Sequence, residues 1–206
     1  MEDIFDGGRK LPLVEEFYTI QGEGRHTGKA AYFIRLGGCD IGCHWCDSKF
    51  TWNRELHPLA NTDEIIGRAI VYPAKSVVVT GGEPSAYPLG YLCSRLRENG
   101  VKTFLETSGS FPLSGEWDWI CLSPKKQRPP LPDIFKVADE LKVILFDSSD
   151  LEWAEENALK VGSKCLLYLQ PEWSRYQKII SLVVDYVRKN PSWNISLQAH
   201  KFMHIP

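Results

Sequence analysis

Seven short apolar runs, each ending in glycine, cysteine or polar residues, constrain the fold of this 206-residue chain more than any other feature. They begin at Ala30, Ser76, Val101, Trp119, Glu140, Lys164 and Asn194. Between many of them lie stretches with apolar residues at helical spacing. Ile65, Ile66, Ala69 and Ile70 mark a helix over residues 62–71, and Leu89, Leu92, Cys93 and Leu96 mark the next. Leu151, Ala154, Ala158 and Val161 mark another, and Tyr176, Ile179, Ile180, Val183, Val184 and Val187 form the clearest apolar face of the chain. Strands alternating with helices imply right-handed crossovers and a parallel sheet. Seven strands fall short of the eight of a closed barrel, so the expected fold is α/β, a partial (open) TIM-like barrel of parallel strands with outer helices. At this length a single domain, residues 1–206, is expected.

The chain ends of these elements carry further expectations. Thr62 is placed to cap the first helix, and Ser149 with Glu152 and Ser174 with Gln177 spell capping boxes. Residues 13–20 mix acids with aromatics and carry no clear period. The polar residues matter more. Residues 39–46, 80–83, 106–108, 123–125, 170–171 and 198–201 each follow the apolar part of a strand, the end at which parallel α/β folds build their sites. They should therefore meet in space.

Three of these residues are cysteines compressed into one loop, Cys39, Cys43 and Cys46, with Gly42 at its turn. Thiolates so spaced can converge on one face of an iron–sulfur cluster. The alternative is a zinc site completed by His44 or His57. Against zinc stands the absence of a second ligand pair, since Cys93, Cys121 and Cys165 are isolated and lie in apolar contexts that suit small buried side chains. Arg35, a lone charge in the run Ala30–Leu36, must be paired or face a polar cavity, which makes it a candidate anion binder or a structural ion pair. Residues 21–24, Gln-Gly-Glu-Gly, suggest a tight turn or a close approach to a ligand.

Composition narrows the function classes. Apolar residues make up 43% and charged residues 24%, as in ordinary globular domains, and the net charge of −2 with no lysine and arginine run argues against a nucleic-acid surface. No apolar stretch approaches membrane-spanning length and residues 1–11 have no leader-like apolar core, so a cytoplasmic protein with reduced thiols is expected.

The spacing C-x3-C-x2-C with an aromatic before the last cysteine resembles the signature of the radical S-adenosylmethionine superfamily, and Gly81-Gly82-Glu83-Pro84 resembles its GGEP motif. Residues 19–24, Thr107-Ser108-Gly109, Ser123-Pro124-Lys125, Gln170-Pro171 and the end at residues 198–206 narrow the resemblance to the 7-carboxy-7-deazaguanine synthase family. That resemblance covers nearly the whole chain. It implies a lyase of queuosine and 7-deazapurine biosynthesis that turns 6-carboxy-5,6,7,8-tetrahydropterin into 7-carboxy-7-deazaguanine with loss of ammonia. The implied cofactors are a [4Fe–4S] cluster, S-adenosyl-L-methionine and Mg2+. The implied partners are a flavodoxin-like electron donor and a second copy of the chain in a homodimer.

By resemblance, Cys39, Cys43 and Cys46 hold three irons and leave the fourth to S-adenosylmethionine. Gly82, Ser123, Pro124, Lys125, Gln170, Pro171, Glu172 and Trp173 are implied contacts of that cofactor. Ile20, Gln21, Gly22, Arg35 and Thr80 are implied to line the pterin site, with Arg35 on the substrate carboxylate and the terminal Pro206 carboxylate on the aminopyrimidinone edge. Ser48 stands where a threonine would be expected to ligate Mg2+, and Ala199 also replaces an expected threonine. His200 is a neighbour of the site. No protein group is assigned as general base, because a 5′-deoxyadenosyl radical takes the hydrogen. A related enzyme acting on a glycine of a partner protein, and a zinc-stabilised binding module, are the rival readings.

Overall fold

The computed structural model describes residues 3–206. Among the described residues nine strands form one sheet in the order β3-β1-β2-β4-β5-β6-β7-β8-β9. They are β1 Lys10–Ile20, β2 Ala30–Leu36, β3 Leu59–Asn61, β4 Ser76–Gly81, β5 Lys102–Thr107, β6 Trp119–Leu122, β7 Glu140–Leu145, β8 Leu166–Pro171 and β9 Trp193–Ile195. From β2 through β9 the neighbours are parallel, while β1 pairs antiparallel with both β2 and β3. The two edge strands do not pair, so the barrel is open. The helices are α1 Thr62–Ala69, α2 Gly90–Glu98, α3 Pro132–Val137, α4 Asp150–Ala158, α5 Tyr176–Lys189 and α6 Ala199–Met203.

Successive side chains of a strand point to opposite faces, and the sequence divides along that alternation. Tyr32, Ile34, Leu36, Val77, Val79 and Leu105 face outward and pack with Ile65, Ile66, Leu92 and Leu96 of α1 and α2. A second outer core joins Leu141, Val143, Leu145 and Leu169 to Ala154 of α4 and Ile179 and Val183 of α5. Ala31, Phe33 and Val78, with Phe17 and Phe104, pack separately on the inner face. This inner core is small. Above it the inner positions turn polar, which leaves room for a site.

The seven expected strands are present within two residues of their expected starts. β1 and β3 are additional. β1 reads poorly because it is antiparallel and partly wet: its Glu15 pairs with Arg35 and its Glu16 with Arg68 of α1. The helix starts differ more. Asn61, not Thr62, caps α1 by accepting from the Asp63 N–H at 2.8 Å, while the Thr62 hydroxyl donates to the Gly8 carbonyl. Neither capping box forms. Asp150 accepts from the Phe146 and Asp147 N–H groups ahead of α4, and Ser149 is turned to Asp147. Ser174 instead donates to Glu172, which caps the turn before α5. In each case a carboxylate or amide nearby offered the stronger acceptor. Cys93 and Cys121 are buried as expected, whereas Cys165 is half-buried.

Candidate active site

The site has a floor made by the segment that leaves β1. Ile20 ends β1 opposite Ala30, and residues 21–26 then cross the inner face toward β7–β9. The Gly24 N–H donates to Ser196 Oγ at 2.9 Å and the Arg25 N–H to Glu140 Oε2 at 3.0 Å. Ala199 N–H donates to the Gly22 carbonyl, tying α6 to the same segment. The two glycines follow from this threading. A Cβ on Gly22 would lie 2.2 Å from His200 Nδ1, and one on Gly24, whose φ is +59°, would lie 1.9 Å from Glu140 Oε1. No other residue fits either position without moving a neighbour.

Above the floor, the GGEP segment and the cysteine loop are locked together by sterics. The Gly82 N–H donates to the Leu36 carbonyl and the Glu83 N–H to the Gly38 carbonyl. A Cβ on Gly82 would sit 2.3 Å from the Gly38 carbonyl oxygen and 2.9 Å from Cys39 Cβ, and one on Gly81 would sit 2.1 Å from the Leu36 carbonyl oxygen. Glu83 is 2% exposed. Its carboxylate accepts from the Ser85 N–H and hydroxyl, from Thr107 Oγ1 at 2.5 Å, and from both the N–H and hydroxyl of Ser108. Thr107-Ser108-Gly109 is therefore a donor clasp that joins the end of β5 to the end of β4. Five donors make this buried carboxylate affordable.

Cys39, Cys43 and Cys46 are all free thiols and all line the one cavity above the floor. Burial pushes the Cys39 and Cys43 thiols up, and the neighbouring sulfurs push in the same direction, while Lys125 opposes it at Cys43. Three such sulfurs become thiolates together when cationic iron supplies the missing charge, so the donor set fits a cluster. It does not fit four-coordinate zinc. His57 Nε2 is 3.0 Å from the Phe50 carbonyl oxygen, His44 packs edge-on to Phe146 at 4.9 Å, and neither lines the cavity. The loop turns at Gly42, φ +71°, and its Asp40 is held by Arg128, which stacks on Phe111 at 4.1 Å.

A buried charge network lies beside the floor. Lys142 of β7, 4% exposed at its side chain, pairs with Glu23 at 2.6 Å and Glu106 at 2.8 Å. Burial alone would depress the lysine, but the surrounding acids outweigh it and hold Lys142 well above its usual value. Burial works against ionisation of Glu23 too, and Lys142 overrides it, leaving Glu23 below its usual value. Gln21 Nε2 reaches Glu106 at 3.4 Å and Gln198 Nε2 reaches Glu23 at 3.0 Å. Lys201 then pairs with Asp47 at 2.6 Å, so the segment after β9 connects the floor to the residue that follows Cys46. His200 is held below the usual imidazole value by burial, which keeps it neutral near pH 7.

Sixteen of the eighteen residues assigned above line this cavity: Cys39, Cys43, Cys46 and Ser48, then Gly82, Ser123, Lys125, Gln170, Glu172 and Trp173, and finally Ile20, Gln21, Gly22, Arg35, Thr80 and Pro206. Pro124 and Pro171 do not, although both are buried. Arg35 forms the expected structural ion pair, its Nε donating to Glu15 at 2.7 Å, and its side chain also lines the cavity. Lys125 Nζ donates to the Ser123 carbonyl and hydroxyl at 2.7 and 2.6 Å, and burial holds it below the usual lysine value. Ser48 Oγ donates to Asp47 Oδ1 at 3.2 Å. The sequence reading missed Lys142 and Asp47. Lys142 carried the same signal as Arg35, one cation inside an apolar strand.

Residues 33–122 match the Radical SAM superfamily. The 7-carboxy-7-deazaguanine synthase of Flavobacterium psychrophilum is 53% identical over 199 residues, which cover 97% of this chain and 94% of that protein. The enzyme of the same name from Synechocystis is 42% identical, covering 94% of this chain and 93% of its own. The crystal structure of QueE from Escherichia coli superposes with a TM-score of 0.82 at 31% identity, covering 95% of this chain and 97% of that one. With relatives this similar along nearly its whole length, the chain belongs to the 7-carboxy-7-deazaguanine synthase family of the radical S-adenosylmethionine superfamily.

Proposed function

We propose that this chain is a 7-carboxy-7-deazaguanine synthase that converts 6-carboxy-5,6,7,8-tetrahydropterin to 7-carboxy-7-deazaguanine with release of ammonia. The observation that carries the reading is the meeting, in one cavity, of three free thiols from a single loop with the floor residues Gln21 and Gly22, Arg35 and Thr80. Cys39, Cys43 and Cys46 would hold a [4Fe–4S] cluster, with S-adenosyl-L-methionine against Gly82, Ser123, Lys125, Gln170, Glu172 and Trp173. When bound, these groups supply one reducing electron and the 5′-deoxyadenosyl radical that takes a hydrogen from the pterin.

The chain's own residues orient and shield. Arg35 keeps guanidinium donors beyond its Glu15 bond for a substrate carboxylate. Ile20, Phe17 and Phe33 give the pterin ring an apolar wall, Phe17 and Phe33 being stacked at 5.4 Å. The Glu23–Lys142–Glu106 network fixes acceptors along the floor, and Pro206 closes the same side, its carbonyl oxygen accepting from Thr19 Oγ1 at 3.4 Å. Ser48 beside Asp47 is the proposed protein ligand of Mg2+, an ion that favours oxygens and keeps several waters. Pro124 and Pro171 act behind the cofactor side by fixing the backbone of Ser123, Lys125 and Gln170. A flavodoxin-like donor, a homodimer and a cytoplasmic location complete the proposal; no helix of the described residues is long and apolar enough to cross a membrane.

The test is turnover of the carboxytetrahydropterin by anaerobically reconstituted, chemically reduced protein, followed by mass detection of 7-carboxy-7-deazaguanine. Product that requires both S-adenosylmethionine and the three cysteines is expected. Cleavage of S-adenosylmethionine without product would overturn the substrate assignment while leaving the superfamily chemistry intact.

A further inference from the structure

Below the floor the inner face holds a second cavity, about 530 Å³, at the opposite ends of the strands. Gln21 lines both. The upper cavity is lined by Glu23, Asp47, Glu83, Glu106 and Glu172 together with Arg35, Lys125 and Lys142, whereas the lower one is lined by Lys29, Lys75 and Lys102 and, among the described residues, by no carboxylate. None of these three lysines forms an ion pair among the described residues. In a protein of net charge −2, three exposed cations without ion pairs around one hollow are a local excess of positive charge.

A second observation comes from His26 in the wall of the same cavity. Its ring stacks on Phe104 at 4.4 Å and meets Trp119 edge-on at 5.0 Å. Both ring nitrogens are shielded from solvent and have no hydrogen-bond partner among the described residues. An imidazole always carries at least one N–H, so the wall holds one unmet donor, which an acceptor could reach only if the wall shifted. Burial and the charges of Lys29, Arg25 and Lys102 hold the ring neutral, consistent with a donor in a positive field.

We propose that this lower cavity is a binding site for a phosphate-bearing anion, held by Lys29, Lys75 and Lys102. Lysine ammonium groups act on phosphate as point charges, whereas a planar carboxylate is better matched by an arginine fork, and no arginine lines this cavity. Lys75 spends one of its hydrogens on the Ile70 carbonyl at 2.6 Å and keeps two. The apolar wall of Ala31, Val78 and Phe104 leaves room for the body of an organic phosphate. The site lies on the far side of the floor from the thiols and does not depend on the activity proposed above.

The test is calorimetric titration of the full chain with inorganic pyrophosphate at about 0.15 M salt, where diffuse surface attraction is screened. Saturable binding at one site per chain is expected, weakened about tenfold or more in the K29Q/K102Q double variant, the size of one lost charge-assisted hydrogen bond. K189Q, on the exposed end of α5, should bind as the parent does. Uridine diphosphate provides the second arm: tighter binding than pyrophosphate assigns the apolar wall to a nucleotide base, and equal binding assigns the site to inorganic phosphates. Both lysines are exposed, so the double variant should fold, which its melting temperature checks. No saturable binding of either probe, or binding unchanged in K29Q/K102Q, overturns the proposal.

Discussion

The cysteine loop and the floor are both short, glycine-containing segments that leave the ends of neighbouring strands, yet they are held in opposite ways. The floor is fixed by protein: its N–H groups are met by Ser196 and Glu140, its Gly22 carbonyl by Ala199, and its glycines are pressed against His200 and Glu140. Residues 40–46 have few such ties. The Cys46 N–H reaches the Cys43 carbonyl, Arg128 holds Asp40 at the surface, and a Cβ on Gly42 would meet nothing within 4 Å. The difference indicates a division of labour. The floor is preorganised by the fold, whereas the cysteine loop has the few internal ties expected of a segment that a bound metal group orders.

The largest effect expected from this contrast is at the floor. Gly24→Ala combines left-handed strain of roughly 1–2 kcal/mol with overpacking of roughly 1–3 kcal/mol against Glu140. It should lower the denaturation midpoint by the sum of the two. The matching change in the other loop, Gly42→Ala, carries the strain alone, roughly 1–2 kcal/mol, because the space beside it is open. Equal losses in urea titrations of the two variants would erase the distinction.

Lys142→Met comes next. It leaves Glu23 and Glu106 facing each other without their cation, and breaking a buried pair costs about 3–5 kcal/mol. Those carboxylates are 19% and 22% exposed, so the lower end applies. The same change should alter the acid limb. Glu23 lies below its ordinary 4.5 in the fold, so its contribution is fully present above that value and is lost as pH falls through the lower folded value. Glu140, raised by burial, works in the opposite sense and weakens the fold as pH rises through its own range. Stability of the parent should therefore fall more steeply below pH 4.5 than that of Lys142→Met; parallel acid limbs would remove the Glu23–Lys142 pair from the account.

Much of this was legible from residues alone, for an identifiable reason. Parallel strands covered on both sides read as apolar runs, and the polar residues that follow them must gather at one end, so the cavity could be assembled from scattered short motifs. β1 was not legible because Glu15 and Glu16 are paired to Arg35 and Arg68 and hide its strand character. Residues 21–24 suggest a tight turn or a close approach, but nothing local records that the segment runs between His200 and Glu140, partners more than a hundred residues away. The role of Thr107 and Ser108 as donors to Glu83 was hidden for the same reason.

A smaller effect is expected at the edge of the substrate side. Adding three glycines after Pro206 should raise KM for the pterin severalfold with little change in melting temperature, because Pro206 is exposed and held mainly by Thr19. An unchanged KM would take Pro206 out of the substrate contacts.

The most direct measurement is anaerobic reconstitution with iron and sulfide, followed by metal analysis and electron paramagnetic resonance of the reduced protein with and without S-adenosylmethionine. The account predicts about four irons and four sulfides per chain and a spectrum that changes when S-adenosylmethionine is added, because three cysteines leave one iron open. A single zinc without sulfide, or a full cluster whose spectrum ignores S-adenosylmethionine, would contradict it.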